Sequence, residues 1–334
     1  MIIRRVGMTN FRSHEKILVD FNTQTTEIIG ENGCGKTSIL EAIYEVLQGK
    51  SFRSVDREIM RRGADFYRVN LEYDDGRTVV VTYDGVKKEF VCEDKKVRRL
   101  TKKFKYPIVL FEPDDLNLIS SSPTSRRNYF DRIFSQLSDA YADSLLRYNK
   151  ALRQRNELLK QESLDFGDLF SWNVLLTKHG MELVETRRSL VEKINQSLTD
   201  VYRSIAENTD EVELKFESEV RSEGEFLGVL EQCFNRDKIL GHTSFGVHRD
   251  NYDFIFNGSV ADGSASRGEV RSSILALKFI EANLTLEILK KQPIVLLDDV
   301  FSELDEVRQK CLVKNFKENQ IILTSVGSGG LKIK

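Results

Sequence analysis

The sequence predicts an α/β fold with mixed sheets, divided in two by an inserted helical arm. Three observations predict it. Strand-like runs broken by turn residues occupy the first 119 residues, a helical pattern free of proline after Pro123 extends to about Asn208, and near Gly241 the chain returns to strands alternating with helices. The 334 residues suffice for two domains or for one large domain with an inserted arm. The predicted divisions are residues 1–119 and 241–334 as two halves of one head, with 120–240 as the arm between them.

In chain order, Ile2 to Val6, Ile17 to Phe21 and Glu27 to Ile29 alternate as strands. Ser38 to Gln48 reads as a helix ending near Gly49, with Ile39, Ile43, Val46 and Leu47 at helical spacing. Asp65 to Tyr73 and Arg77 to Tyr83 flank Asp74-Asp75-Gly76, a hairpin turn, and a run from Gly85 to Cys92 extends what reads as an antiparallel sheet. Pro107 to Phe111 (PIVLF) reads as a buried strand. In the arm, Trp172, Leu176, Leu183, Leu190, Ile194, Leu198, Val201 and Ile205 form one apolar stripe. A helix from Ser171 to Ala206 would be about 55 Å long, packed on a shorter helix around Asp139 to Lys160. Beyond it come a strand at Tyr252 to Phe256, a helix at Ser266 to Leu289 with Ile274, Leu277, Ile280 and Leu284 inward, a buried strand at Pro293 to Leu297 (PIVLL), a helix at Glu303 to Phe316, and a last strand at Gln320 to Thr324.

The stretch Gly30 to Thr37, GENGCGKT, matches the phosphate-loop pattern G-x-x-x-x-G-K-[ST] at every fixed position, between a predicted strand and a predicted helix. Backbone N–H groups of such a turn and the helix dipole point together at an anion. Gly33 and Gly35 permit the tight turn and close approach of backbone. The expected ATP contacts are Gly30, Glu31, Asn32, Gly33, Cys34, Gly35, Lys36, Thr37 and Ser38. Lys36 is expected to act catalytically on the β- and γ-phosphates, and the Thr37 hydroxyl to hold Mg²⁺.

Ile294 to Asp299 reads IVLLDD, an apolar strand ending in two carboxylates, where open α/β sheets place their ligands. Asp298 is expected as a direct or outer-sphere Mg²⁺ ligand opposite Thr37, and Asp299 as general base or water positioner. Ser302-Glu303-Leu304-Asp305 follows directly, and Ser266-Arg267-Gly268-Glu269 opens the long helix about thirty residues earlier. Taken alone, SRGE reads as a helix N-cap by Ser266. In this order of motifs it matches the layout of ABC-type ATPase heads. There the signature serine and its helix N-terminus face the nucleotide of the opposite subunit, which makes Ser266 and Gly268 expected ATP contacts in trans.

The bulk composition excludes several classes. With 31% charged residues and a net charge of −2, overall charge announces no nucleic-acid partner, so any such surface must be local. No segment reads as a signal peptide or membrane span, and the four cysteines (Cys34, Cys92, Cys233, Cys311) lack paired spacing; a cytoplasmic protein without a membrane partner is expected. Lys87 to Lys105 holds nine Lys or Arg against three acids, read either as a solvated face or as a phosphate-contacting surface. Within it Arg98, Arg99, Lys102 and Lys103 are the candidate DNA contacts. A smaller basic group is Arg53, Arg57, Arg61 and Arg62, and Arg126-Arg127 in the arm is a further alternative.

Nearly the whole chain resembles the RecF family of recombination-repair proteins. The matching stretches are NFRSHE (Asn10 to Glu15), GENGCGKTSILEAIY (Gly30 to Tyr44), KSFRS (Lys50 to Ser54), FEPDDL (Phe111 to Leu116) and SPTSRRNYFD (Ser122 to Asp131). They continue with SWNVLLTKHG (Ser171 to Gly180), FGVHRDN (Phe245 to Asn251), SRGEVRSSILALK (Ser266 to Lys278) and PIVLLDDVFSELD (Pro293 to Asp305). The resemblance implies an ATP-dependent homodimer, weakly ATPase-active and stimulated by DNA. It also implies binding to duplex next to a single-stranded gap, RecO and RecR as partners, and loading of RecA as the outcome, in the cytoplasm at the nucleoid. The ATPase motifs alone also fit an SMC-like structural head or a transporter ATPase subunit. Departures from the common pattern are a signature without its glutamine, no switch histidine after IILTS, and no evident Q-loop glutamine near Glu112.

Overall fold

The computed structural model describes residues 1–101, 103–326 and 331–332. These fall into two compact units, Met1–Leu116 with the chain from Glu281 onward, and Asn117–Ile280.

The first unit opens with β1 (Ile3–Phe11) and β2 (His14–Asp20), paired antiparallel. β1 runs past its predicted end at Val6 because inward residues continue through Met8 and Phe11. Gly7 passes so close to β2 that a Cβ there would stand 3.3 Å from Leu18. β3 (Thr25–Ile29) leads into the phosphate loop and then α1 (Lys36–Gln48). This helix touches β1 and the strands Tyr67–Tyr73 and Thr78–Tyr83 on one side and the strand Ile321–Ser325 on the other, and is buried along nearly its whole length. A helix lying between two sheets must be apolar all round or neutralise its charges. It does both. Glu41 accepts two hydrogen bonds from Arg12 (Nε 2.8 Å, Nη2 2.6 Å), and Glu45 meets Lys88 Nζ at 2.7 Å and the Tyr67 hydroxyl.

A one-turn helix α2 (Asp56–Ile59) precedes β4 (Tyr67–Tyr73), β5 (Thr78–Tyr83), β6 (Lys88–Cys92) and β7 (Lys95–Val97). Together with β1 and β2 they form a six-stranded antiparallel sheet ordered β2-β1-β4-β5-β6-β7. The sequence pattern stops at Cys92 because the β6–β7 turn carries no glycine. Glu93 and Asp94 adopt positive φ (50° and 61°) in the two-residue turn instead. β8 (Ile108–Phe111) belongs to the other sheet.

The second unit begins with α3 (Pro123–Leu137), capped by Ser122 with Pro123 in the first turn, and α4 (Asp139–Leu159), capped by Ser138. The continuous helical pattern is interrupted after Leu159, where Leu164 and Leu169 turn inward onto it before α5 (Phe170–Ala206) packs along α4. The inner stripe of α5 is as predicted except at its two ends, where Asn173 is buried while Trp172 is only half-buried, and Tyr202 is buried in place of Val201. β9 (Val212–Glu217), α6 (Glu223–Gln232) and α7 (Phe234–Leu240) follow, none of them predicted. β9 pairs antiparallel with β10 (Asn251–Phe256), which also pairs with β11 (Ser259–Val260). That pairing ties the strand expected in the C-terminal half to the helical unit, so the compact unit extends to Ile280 rather than 240.

α8 (Arg267–Leu289) buries Ile274, Leu277, Ile280 and Leu284 as predicted. The first unit is completed by β12 (Ile294–Leu297), α9 (Glu306–Asn315), β13 (Ile321–Ser325) and β14 (Leu331–Lys332). With β3 and β8 they make a parallel sheet ordered β14-β3-β13-β12-β8. β12 lies inside this sheet, which explains its four consecutive aliphatics. α9 starts at Glu306 rather than Glu303, because a 3₁₀ turn occupies Val300–Glu303 and Asp305 caps the helix by accepting from Arg308 N.

Candidate functional site

The site is built where β3 and β12 end and α1 begins, all within the first unit. Gly33 (φ 83°) and Gly35 (φ 96°) hold the left-handed conformations the turn requires. Their surroundings differ. A Cβ on Gly33 would meet nothing within 4 Å, whereas one on Gly35 would overlap the His14 imidazole and stand 2.9 Å from Ser13 Oγ. His14 Nε2 donates to the Gly35 carbonyl at 3.1 Å, fixing the loop's last turn to the start of β2. Gly30 is close-packed too, since a Cβ there would lie 2.5 Å from Cys34 Sγ. Lys36 is buried with its ammonium folded back onto the loop, donating to the carbonyls of Gly30 (3.0 Å) and Glu31 (3.2 Å).

From the other side, β12 delivers its two aspartates in different settings. Asp298 Oδ1 accepts from Thr37 Oγ1 at 2.7 Å and from Thr324 Oγ1 at 3.1 Å. Burial pushes its carboxyl above the usual range, while these two hydroxyls and Arg53 pull it down. Asp299 adopts φ 51°, its N–H bonded to Thr324 Oγ1 at 2.8 Å. Its Oδ1 is buried with no hydrogen-bond partner among the described residues. Asp299 lines a cavity of 530 Å³ together with Asn32, Gly33, Gly35, Lys36, Thr37 and Ser38.

Seven predicted residues therefore share one cavity, with Asp298 joined to it through Thr37. Glu31 contributes a carbonyl to Lys36, and Gly30 and Cys34 pack against each other in the loop. Arg12, Ser13, Arg53 and Arg62 also line this cavity, which their placement in a basic surface group did not suggest for the last two. Arg12 is held by Glu41 and the Ser54 hydroxyl, and the stretches NFRSHE and KSFRS were the available signal.

Ser266 and Gly268 lie in the second unit at the start of α8. Ser266 Oγ accepts from Glu269 N (3.3 Å), while the Glu269 carboxylate accepts from Ser266 N (2.6 Å), a reciprocal capping box. The glutamate that replaces the more usual signature residue thus has a structural task.

The basic run is less free than its composition suggests. Lys88 is turned inward onto Glu45 and Asp56, Lys87 pairs with Glu89 (3.1 Å), and Lys103 pairs with Glu93 (2.7 Å). Arg98 and Arg99 are exposed, and Lys102 lies outside the described residues. In the arm, Arg126 is buried and spends its guanidinium on the carbonyls of Ile119 and Ser121 and on Asn251 and Asp253; Arg127 donates to the Asp250 carbonyl. This removes Arg126 as an alternative phosphate contact, because its charge is already committed. The same neighbourhood accounts for FGVHRDN. Asp250 pairs with buried Arg187 (2.7 Å), which also holds Asp131 (2.9 Å), and His248 bridges the Tyr148 hydroxyl and the Thr243 carbonyl. His248 and its neighbours are thus structural links of the second unit.

No helix among the described residues is long and apolar enough to cross a membrane. Residues 1–226 match the family model for an AAA ATPase domain. A solved structure described as the recombination mediator protein RecF-ATP in the RecFOR pathway is 26% identical, covers 98% of this chain and 92% of that one, and superposes with a TM-score of 0.87. An Smc head bound to the C-winged helix domain of ScpA matches at TM-score 0.57 and 16% identity, over 98% of this chain and 90% of that one, a likeness of fold alone. The DNA replication and repair protein RecF of Clostridium acetobutylicum is 32% identical over 99% of this chain and 94% of its own length, and that of Lachnoclostridium phytofermentans 33% over 98% and 93%. With an ATPase head and relatives of this identity along essentially its full length, the chain belongs to the RecF family of DNA replication and repair proteins.

Proposed function

We propose that this chain is an ATP-dependent DNA-binding switch of recombinational repair and replication restart. The observation that carries the reading is the phosphate-loop cavity, where Lys36, Thr37 and the unpartnered Asp299 carboxylate oxygen converge. ATP fits this cradle. The loop supplies backbone N–H groups and a helix N-terminus, and a side chain at Gly35 would disturb it. Mg²⁺ fits as well, because the Thr37 hydroxyl and Asp298 carboxylate are hard oxygen donors already 2.7 Å apart, and Mg²⁺ usually takes only one or two protein ligands besides phosphates and water. Bound there, the ion would neutralise charge on the phosphates.

Lys36 would exchange its two loop carbonyls for the β- and γ-phosphates. Thr324 holds Asp298 and the Asp299 backbone together, so that Asp299 can orient the attacking water. Slow hydrolysis stimulated by DNA then resets the switch. Two copies would enclose two ATP molecules, with the N-terminus of α8 at Ser266 and Gly268 directed to the partner's γ-phosphate. DNA would be engaged as duplex next to a single-stranded gap, through exposed cations that include Arg98 and Arg99. RecO and RecR are the expected partners and loading of RecA the outcome, in the cytoplasm at the nucleoid.

The test is DNA binding and ATP turnover measured together on gapped duplex across a salt series. ATP should tighten binding and DNA should speed turnover, with a log–log salt slope of about −0.9 per phosphate neutralised. Turnover indifferent to DNA would favour an SMC-like structural head, and DNA binding indifferent to ATP would contradict the switch.

A further inference from the structure

The first unit holds a second cavity, of 160 Å³, bounded by the β4–β5 turn, the segment after β7 and the chain end at Met1. Three aromatic side chains wall it, Tyr73, Phe104 and Tyr106. Arg77, Lys103, Lys105 and Lys291 also line it, against Glu93 as the one acid among the lining residues. Two of these cations are already paired, Arg77 with Asp75 at 2.6 Å and Lys103 with Glu93 at 2.7 Å. Lys105 and Lys291 are exposed and have no acidic partner among the described residues. Lys291 Nζ stands 5.8 Å from the Tyr106 ring centroid.

Tyr73 is the most buried of the lining side chains. This residue is 5% exposed, and its hydroxyl has no hydrogen-bond partner among the described residues. A buried hydroxyl left unpaired is unfavourable, and this one belongs to a side chain that lines the cavity. Burial keeps the phenol neutral and able to donate. One wall is fixed through the Tyr106 main chain, whose N–H donates to the Leu47 carbonyl (3.2 Å) and whose carbonyl accepts from Gln48 Nε2 (2.8 Å).

Aromatic walls, a buried unpaired hydroxyl and an excess of cations among the lining residues suit a flat π-system that carries phosphate. We propose that this cavity receives one unstacked base of a DNA single strand, with Lys105 and Lys291 on the flanking phosphates and the Tyr73 hydroxyl on the base edge. The inference rests on the DNA-binding function proposed above. A base within a duplex is stacked on both faces and cannot enter, whereas a single strand offers each face to an aromatic ring. A strand, rather than a free nucleotide, is favoured because β7 and the turn after it present Lys95, Lys96, Arg98 and Arg99 to solvent within a few residues of the lining Glu93.

The test uses the full chain and a short oligodeoxythymidylate carrying one central 2-aminopurine, read by its fluorescence. Binding to the wild type should change the 2-aminopurine signal. The double variant Lys105→Glu/Lys291→Glu, both positions exposed, should bind at least tenfold more weakly and flatten the salt slope by about 1.4, from about 0.7 per single-strand phosphate. Tyr73→Phe should weaken binding several-fold without lowering the melting temperature, because it removes an unpaired buried hydroxyl. Wild-type affinity in a folded, ATP-binding double variant would overturn the proposal. So would 2-aminopurine nucleoside monophosphate binding as tightly as the oligonucleotide, since the occupant would then be a free nucleotide. Blunt duplex titrated with ATP separates the two levels. Duplex binding without oligonucleotide binding overturns the cavity assignment alone, and no binding to any DNA overturns the function on which it rests.

Discussion

Replacing Gly35 by alanine should damage the phosphate loop far more than the same change at Gly33, although both glycines have positive φ. The backbone cost is shared. An L-residue in the left-handed region pays about 1–2 kcal/mol. At Gly33 nothing lies within 4 Å of the new methyl, so the cost ends there. At Gly35 the methyl would overlap the His14 imidazole, which must swing away and give up its hydrogen bond to the Gly35 carbonyl. A typical hydrogen bond contributes about 1 kcal/mol, which brings Gly35→Ala to about 2–3 kcal/mol before any shift of Ser13. The double variant Gly35→Ala/His14→Ala removes the overlap, so the pair should be coupled by about 1 kcal/mol in a double-mutant cycle. Urea unfolding of the wild type and the four variants, with and without Mg-ATP, measures both terms. Equal destabilisation by Gly33→Ala and Gly35→Ala, or strict additivity with His14→Ala, would refute the proposed loop packing.

Other perturbations test the remaining assignments. Asp299→Asn should keep Mg-ATP binding, measured by calorimetry, and lose most hydrolysis, because Asp298 retains its contact with Thr37; loss of nucleotide binding would show the two aspartates in reversed roles. Alkylation of Cys34, whose sulfur packs over Gly30, should block ATP binding, and bound ATP should protect the thiol, read as labelling rate by mass spectrometry. Burial holds His248 at a pKa of about 4, below its ordinary 6.5, so it is neutral in the fold. Its contribution is complete above pH 6.5 and is lost as pH falls toward 4, by at most about 3 kcal/mol. Burial pushes Asp250 up to about 6, so it takes up its proton first in the folded state and offsets part of that loss. His248→Gln should therefore be less acid-sensitive between pH 6.5 and 4 than the wild type in urea unfolding, and identical pH slopes would contradict the neutral buried imidazole.

The nucleotide cradle was legible in the sequence because its chemistry is local. A strand, eight residues and a helix start specify the phosphate loop, and four aliphatics ending in two aspartates specify its opposite wall. What escaped was built from distant parts. His14 and Ser13 reach the loop only because β2 starts beside it, and Arg53 and Arg62 look like members of a basic cluster until the fold places them on the cavity. The second unit was harder to read where β9 follows a long helix. Its alternation of Val212, Glu213, Leu214 and Lys215 is short, and only pairing with β10 makes it a strand. Charge counting misled for a related reason. Lys88 and Arg126 sit in basic runs, yet burial commits each to acids or carbonyls that the sequence does not bring near them.

The central claim, that nucleotide held by this cradle joins two copies of the chain, is tested most directly by mass in solution. Light scattering behind size exclusion, with and without Mg-ATP, should show the wild type shifting from one chain to two on adding nucleotide. Lys36→Ala should remain a single chain under both conditions, because the cradle loses the cation that the loop holds over its own carbonyls. A wild type whose mass ignores ATP, or a Lys36→Ala protein that dimerises as the wild type does, would contradict the account.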